Sequence, residues 1–246
     1  MTASRQFVIV ADAATLARQA AERVLGQIAA NDGRVAICLT GGSSPKRLYE
    51  LLATETYAPR IPWHRLHWFI GDERFVPADN PLNNMSIARR IFLDRFAPSS
   101  HIHPIPTDAV NPSEAAARYA HELKGFYGGA RLDPARPLFD LVLMGVGPDG
   151  HTASLFPGDP AVEESERWVV GVGSAPVEPL VPRVTLTLPA LASCREMLFE
   201  VAGEEKRAIL TRLLGGESLP ANRARSNGET VWLIDSAARP ENFRGV

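Results

Sequence analysis

The sequence is short of what several common kinds of function require. Two of its 246 residues are cysteine, Cys38 and Cys194, far apart and each inside an apolar run (VAICLT and LASCREM). Zinc-ligand spacing and a disulfide framework are both missing, and two buried free thiols are the expectation. An excess of one charge is missing too. The 26 basic and 28 acidic residues are interspersed and leave a net charge of −2, so nucleic acid finds no basic face and a membrane surface no polybasic run. No stretch approaches the roughly 18 apolar residues of a membrane span. The opening MTASRQFVIV lacks the charged and long apolar regions of a secretion signal. No G-x-x-x-x-G-K-[ST] loop and no G-x-S-x-G elbow occur, and neither cysteine has the setting of a nucleophile. These absences favour a cytoplasmic protein that acts on a small molecule, with no nucleic-acid or membrane partner.

What is present reads as one globular domain over residues 1–246, with 45% hydrophobic and 22% charged residues and no internal repeat or low-complexity tract. Short β-rich runs stand at Phe7–Val10, Arg34–Leu39, Leu66–Gly71, Leu138–Met144, Arg167–Gly173, Arg183–Leu188, Glu196–Ala202 and Thr230–Asp235. Helical spacing fills most of the gaps between them. Leu16, Ala20, Val24 and Ile28 follow an Asp12 cap, KRLYELLA follows Pro45, an asparagine among Asn80, Asn83 and Asn84 caps a helix carrying Ile87, Ile91 and Phe92, and Ser113–Tyr127 is amphipathic. This alternation predicts a Rossmann-like, three-layer α/β/α fold with a mostly parallel sheet and room for a small extra lobe. Right-handed crossovers then gather the loops at 40–45, 71–74 and 145–157 at one sheet edge.

Each of those loops carries polar chemistry. Thr40-Gly41-Gly42-Ser43-Ser44-Pro45 is a glycine-rich turn from strand into helix, and its amides at a helix N-terminus suit an anion. A plain tight turn explains the same residues. Asp72-Glu73-Arg74 follows a buried strand, as a ligand-facing group or as a solvated charge cluster. Gly145, Gly147 and Gly150 match G-x-G-x-x-G, but Pro157-Gly158 leaves no room for the long helix of a dinucleotide site, and Asp149 would bring a charge against a pyrophosphate. The better reading of FDLVLMGVGPDGHTASLFPG is a rigid loop aiming Asp149 and His151 into a pocket, where the imidazole can act as a general base. Backbone amides from Gly147 to His151 are candidate oxyanion donors. His101 and His103 would point the same way in an extended segment, but with no third ligand nearby in sequence a surface loop is expected rather than a metal site.

Four segments together, TGGSSPKRLYELL, FIGDERFVP with its downstream asparagine pair, LMGVGPDGHTASLFPG, and PRVTLTLPAL with VAGEEK, resemble the 6-phosphogluconolactonase family across nearly the whole chain. The related glucosamine-6-phosphate deaminases share the fold and the D-G-H loop but carry a phenylalanine-asparagine-glutamate-proline run after the histidine, where this chain has TASLFPG. The resemblance implies cofactor-free and metal-free hydrolysis of a phosphorylated sugar lactone by a monomer or weak homo-oligomer. It implies His151 as general base and Asp149 as its orienting partner. Gly41, Gly42, Ser43, Ser44, Arg183 and Lys206 would grip the phosphate, and Asp72 and Arg74 would face the sugar. A deaminase-like isomerase and a non-enzymatic sugar-phosphate sensor are the competing readings.

Overall fold

The computed structural model describes residues 4–241 and 243. Among these, nine strands follow the chain: β1 (Ser4–Val10), β2 (Val35–Leu39), β3 (Leu66–Ile70), β4 (Asp72–Arg74), β5 (Phe139–Met144), β6 (Val169–Ser174), β7 (Pro182–Leu186), β8 (Cys194–Val201) and β9 (Glu229–Asp235). Six of them form a sheet in the order β1-β9-β8-β5-β2-β3, parallel at every pairing. β2 and β5 are buried at every position, as continuous apolar runs must be when helices cover both faces of a sheet.

The main helices are α1 (Ala13–Ala29), α2 (Ser43–Leu52), α3 (Asn84–Ala88), α4 (Asp94–Phe96), α5 (Pro112–Tyr127), α6 (Leu188–Ala192), α7 (Arg207–Leu214) and α8 (Pro220–Arg223). Three caps fix their starts: Asp12, Asn83 and Asn111 accept the amides of Thr15, Ser86 and Glu114. A π-helical stretch, Arg89–Leu93, joins α3 to α4. The core is aromatic at both ends of the sheet. Phe199 and Trp232 stack with centroids 3.9 Å apart, and Trp68 packs edge-on against Phe92 at 5.2 Å. Such pairs add about 0.5–1.5 kcal/mol each beyond burial.

The remaining strands, one of them in residues read from the sequence as a loop, stand outside the parallel sheet. β4, β7 and β6 make a separate antiparallel sheet. The reason lies in connection length: a parallel pairing needs a crossover of about a dozen residues, whereas the short, proline-rich segment between β6 and β7 permits a hairpin. Gly71 joins the two sheets. Its amide bonds the Leu39 carbonyl at the end of β2, and its carbonyl accepts the Leu186 amide of β7.

The order of the parallel sheet also locates a crevice. From β2 the chain moves outward to β3, and from β5 it moves the other way to β8, so the carboxyl ends of β2 and β5 flank a topological switch point. The glycine-rich turn follows β2 and the Asp149-His151 loop follows β5.

Candidate active site

A cleft of about 230 Å³ opens at that switch point. Gly41, Gly42, Ser43, Ser44, Asp72, Arg74, His151, Arg183 and Lys206 all line it, and Asp149 stands behind His151. Residues that sequence reasoning did not assign to the site line it as well: Asn84, Phe156, Glu178 and Glu200.

On the β5 side, the loop is closed by its own backbone. The Gly147 amide bonds the His151 carbonyl at 2.9 Å, the Gly150 amide bonds the Gly147 carbonyl at 3.0 Å, and the His151 amide bonds Asp149 Oδ1 at 3.1 Å. These three of the candidate oxyanion amides are therefore already bonded within the turn. Their work is to hold the side chains. Asp149 Oδ1 lies 2.6 Å from His151 Nδ1. Burial alone would raise the Asp149 carboxyl, but bonding to the His151 ring and backbone outweighs it and holds the group below its ordinary value. An ionised carboxylate only accepts, so in the neutral ring Nδ1 carries the proton and Nε2 the lone pair. Phe156 packs against the ring at 4.8 Å between centroids, and Gly147 is required beside it because any Cβ there would collide with the imidazole.

On the β2 side, α2 begins at Ser43 with Gly42 at φ 115° and no side chain capping its first turn. The open helix start faces the cleft, where its amides and the positive end of its dipole suit an anion. Gly41 is fixed by a different constraint: Asn84 lies against it so closely that a Cβ would strike the amide group. Asn84 Nδ2 donates to the Asp72 carbonyl at 3.1 Å, while its Oδ1 is buried without a partner.

The three charges after β3 divide their roles. Glu73 is fully buried, which pushes its carboxyl up to about 8, and its oxygens accept the amides of Arg74, Asn84 and Met85 at 2.9, 2.7 and 2.9 Å, so it holds the start of α3. It is neither a solvated charge nor a cleft residue. Asp72 accepts the Ser154 hydroxyl at 2.6 Å and thereby ties β4 to the segment after His151. Arg74 donates to the Leu82 carbonyl at 2.8 Å, and its Nε is buried without a partner.

The two cations assigned to phosphate are preorganised on backbone carbonyls. Arg183 donates to Pro179 and Val181 at 2.8 and 3.2 Å, and Lys206 Nζ to Val146 at 2.8 Å. Burial lowers the pKa of both. Each spends only part of its donor capacity this way and keeps charge at the cleft wall. One residue of the same wall is strained: Ala153 has a φ of 48°, in the left-handed region that a non-glycine residue enters at a penalty of about 1–2 kcal/mol.

Elsewhere, His101 and His103 are not a bare surface loop. His67 stacks on both, at 4.1 and 5.3 Å between centroids, and His103 Nδ1 meets Glu122 at 2.6 Å. The cluster depends on tertiary packing of β3 against α5, which no local spacing reveals. Among the described residues no group of three or more His, Cys, Asp or Glu is arranged to hold a metal ion. Cys38 and Cys194 are buried and free, and burial pushes the Cys194 thiol up to about 12. No helix among the described residues is long and apolar enough to cross a membrane.

The chain is 39% identical to the 6-phosphogluconolactonase of Synechocystis over 221 residues, covering 87% of each chain. It is 38% identical to that of Streptomyces coelicolor, covering 100% of this chain and 98% of the other. The solved 6-phosphogluconolactonase of Trypanosoma brucei superposes with a TM-score of 0.81 at 30% identity, over 96% of this chain and 98% of that one. Residues 11–232 match the family described as glucosamine-6-phosphate isomerases/6-phosphogluconolactonase, and the chain belongs to that family.

Proposed function

We propose that the chain hydrolyses 6-phospho-D-glucono-1,5-lactone to 6-phospho-D-gluconate, a step of the oxidative pentose phosphate pathway, with His151 activating the attacking water. The observation that carries this reading is the pairing, in one cleft, of an Asp149-oriented imidazole with an uncapped helix start, a buried arginine and a half-buried lysine. The phosphate, distant from the reacting carbonyl, binds at Gly41–Ser44 with Arg183 and Lys206, and this remote binding energy positions the lactone. Asp72 and Arg74 border the sugar.

Water attacks C1 as Nε2 of His151 takes its proton. Asp149 stabilises the imidazolium that forms. The tetrahedral intermediate collapses with cleavage of the bond between C1 and the ring oxygen, which takes the proton back from His151. The carboxylic acid product then releases one proton to solvent at neutral pH. No covalent enzyme intermediate is needed, in keeping with two buried thiols and the absence of a serine elbow. On this proposal the chain works in the cytoplasm as one domain, monomeric or weakly associated, without cofactor or nucleic acid.

The test is acid release from freshly generated lactone, measured above the spontaneous rate, beside ammonia release from glucosamine 6-phosphate. Accelerated lactone loss with no ammonia is expected. Ammonia release without lactone acceleration would assign the deaminase-like alternative, and neither activity would leave a sugar-phosphate sensor.

A further inference from the structure

We infer that Glu200 is a substrate-binding residue whose neutral carboxyl donates a hydrogen bond to the phosphate held at the Gly41–Ser44 turn. The inference rests on the phosphate placement proposed above and concerns a residue that the proposed mechanism does not use.

Glu196, Leu198 and Glu200 alternate along one face of β8. Glu196 meets α1 on that face, where Arg23 and Gln27 each bond its carboxylate at 2.8 Å. Glu200 lies at the carboxyl end of the same strand, toward the start of α2, and lines the cleft with Thr40 to Pro45 and Lys206. It is 3% exposed, and neither carboxyl oxygen has a hydrogen-bond partner. Its polar neighbour Tyr49 is already engaged, with the hydroxyl donating to the Thr40 carbonyl at 2.7 Å and accepting the Thr40 amide at 3.1 Å. Other buried carboxylates are satisfied: Glu73 by three amides, and Asp140 by the Ala36 amide, Asn31 and Arg195. A buried polar group left unpaired in an otherwise satisfied interior, at the wall of a binding cleft, is placed to be completed by a ligand.

The sign of that completion follows from its surroundings. Tyr49 of α2 feels its charge, the titratable groups that line the cleft with it are Asp72 and Arg74 of β4, His151, Glu178, Arg183 of β7 and Lys206 after β8, and Leu233 flanks it on β9. On α1, Arg23 is committed to Glu196, four residues back along the strand. None of these bonds Glu200, and burial pushes its carboxyl up to about 8. At neutral pH it is an acid with one O–H to give, and a phosphate oxygen is its best acceptor. Ionised, it would oppose a dianion.

The test is calorimetric titration of the whole chain and of E200Q and E200L with inorganic phosphate and with 6-phosphogluconate at pH 8, each in two buffers of different ionisation heat. Because the Glu200 carboxyl titrates near that pH, binding to the wild-type chain should take up a measurable fraction of a proton more than binding to E200Q. Titration of Lys206, Tyr49 and the ligand is common to both proteins and cancels in the difference. At pH 7, E200Q, which keeps a donor, should bind within about threefold of wild type, and E200L should bind about tenfold or more weakly. Equal proton uptake by wild type and E200Q would overturn the inference, as would E200L binding as tightly as wild type. The underlying activity is judged separately: phosphate binding with the Glu200 signature but no lactone acceleration removes the lactonase reading and keeps the donor. Lactone acceleration with no difference in proton uptake removes the donor and keeps the lactonase.

Discussion

His151 and Lys206 face the same cleft but are held there by opposite means. The imidazole is oriented by a charge, Asp149, and the ammonium by a neutral carbonyl, that of Val146. On the proposed mechanism, substituting the imidazole removes chemistry, while substituting the ammonium removes grip. Lys206→Ala and Arg183→Ala should each raise KM for the phosphorylated lactone by about ten- to a hundredfold, the value of a hydrogen bond to a charged group. KM for the unphosphorylated analogue should change little, and equal effects on the two substrates would contradict the phosphate assignment. At this scale the sequence was informative where residue type carries the chemistry, as for the Asp149-Gly150-His151 triplet. It was silent where the role comes from tertiary placement. Nothing local distinguishes Glu200 in EMLFEVA from the satisfied Glu196 four residues before it, and Asn84 read only as one of three possible caps.

Among the elements, the loop after β5 is the one whose shape the proposed mechanism depends on. Four backbone and side-chain bonds close it, the last from the Thr152 hydroxyl to the Gly145 carbonyl at 2.8 Å. Gly147→Ala tests the loop without touching a polar group. The added methyl displaces the His151 ring, so kcat should fall about a hundredfold, on the scale of a misplaced general base. Phosphate affinity should be retained because α2 is undisturbed, and wild-type turnover in this variant would show that the ring's position is not critical. Strand positions were legible from apolar runs bounded by turn residues. Pairing was not: β6 and β7 read as further members of one sheet and β4 as a loop, because hydrophobic pattern reports burial and leaves the choice of partner to connection length and the Gly71 junction.

For the molecule as a whole, the fold stores a pH-dependent penalty in its cleft. Glu200 has a folded-state pKa of about 8 against an ordinary 4.5. Below the lower value both states are protonated and the group is neutral to stability. Between the two, the unfolded chain ionises while the folded chain holds its proton, so stability falls as pH rises, by up to about 1.4 kcal/mol per pH unit. Above about 8 the loss is complete. The melting temperature of E200Q should therefore exceed that of wild type by a margin that widens from pH 5 to pH 8, and parallel curves would show that Glu200 is not buried as an acid.

The same scale explains why the active cleft sits where it does. Two loops far apart in sequence meet at the switch between β2 and β5, and on the proposed mechanism one presents an anion site and the other a base, which a phosphorylated lactone requires at a fixed separation. The most direct test of this account is single-turnover hydrolysis of fresh 6-phosphogluconolactone by wild type and His151→Ala, with product affinity measured on the same samples. The account predicts that the variant loses about 10²–10⁴ of the acceleration while still binding 6-phosphogluconate. A variant that turns over like wild type would contradict it.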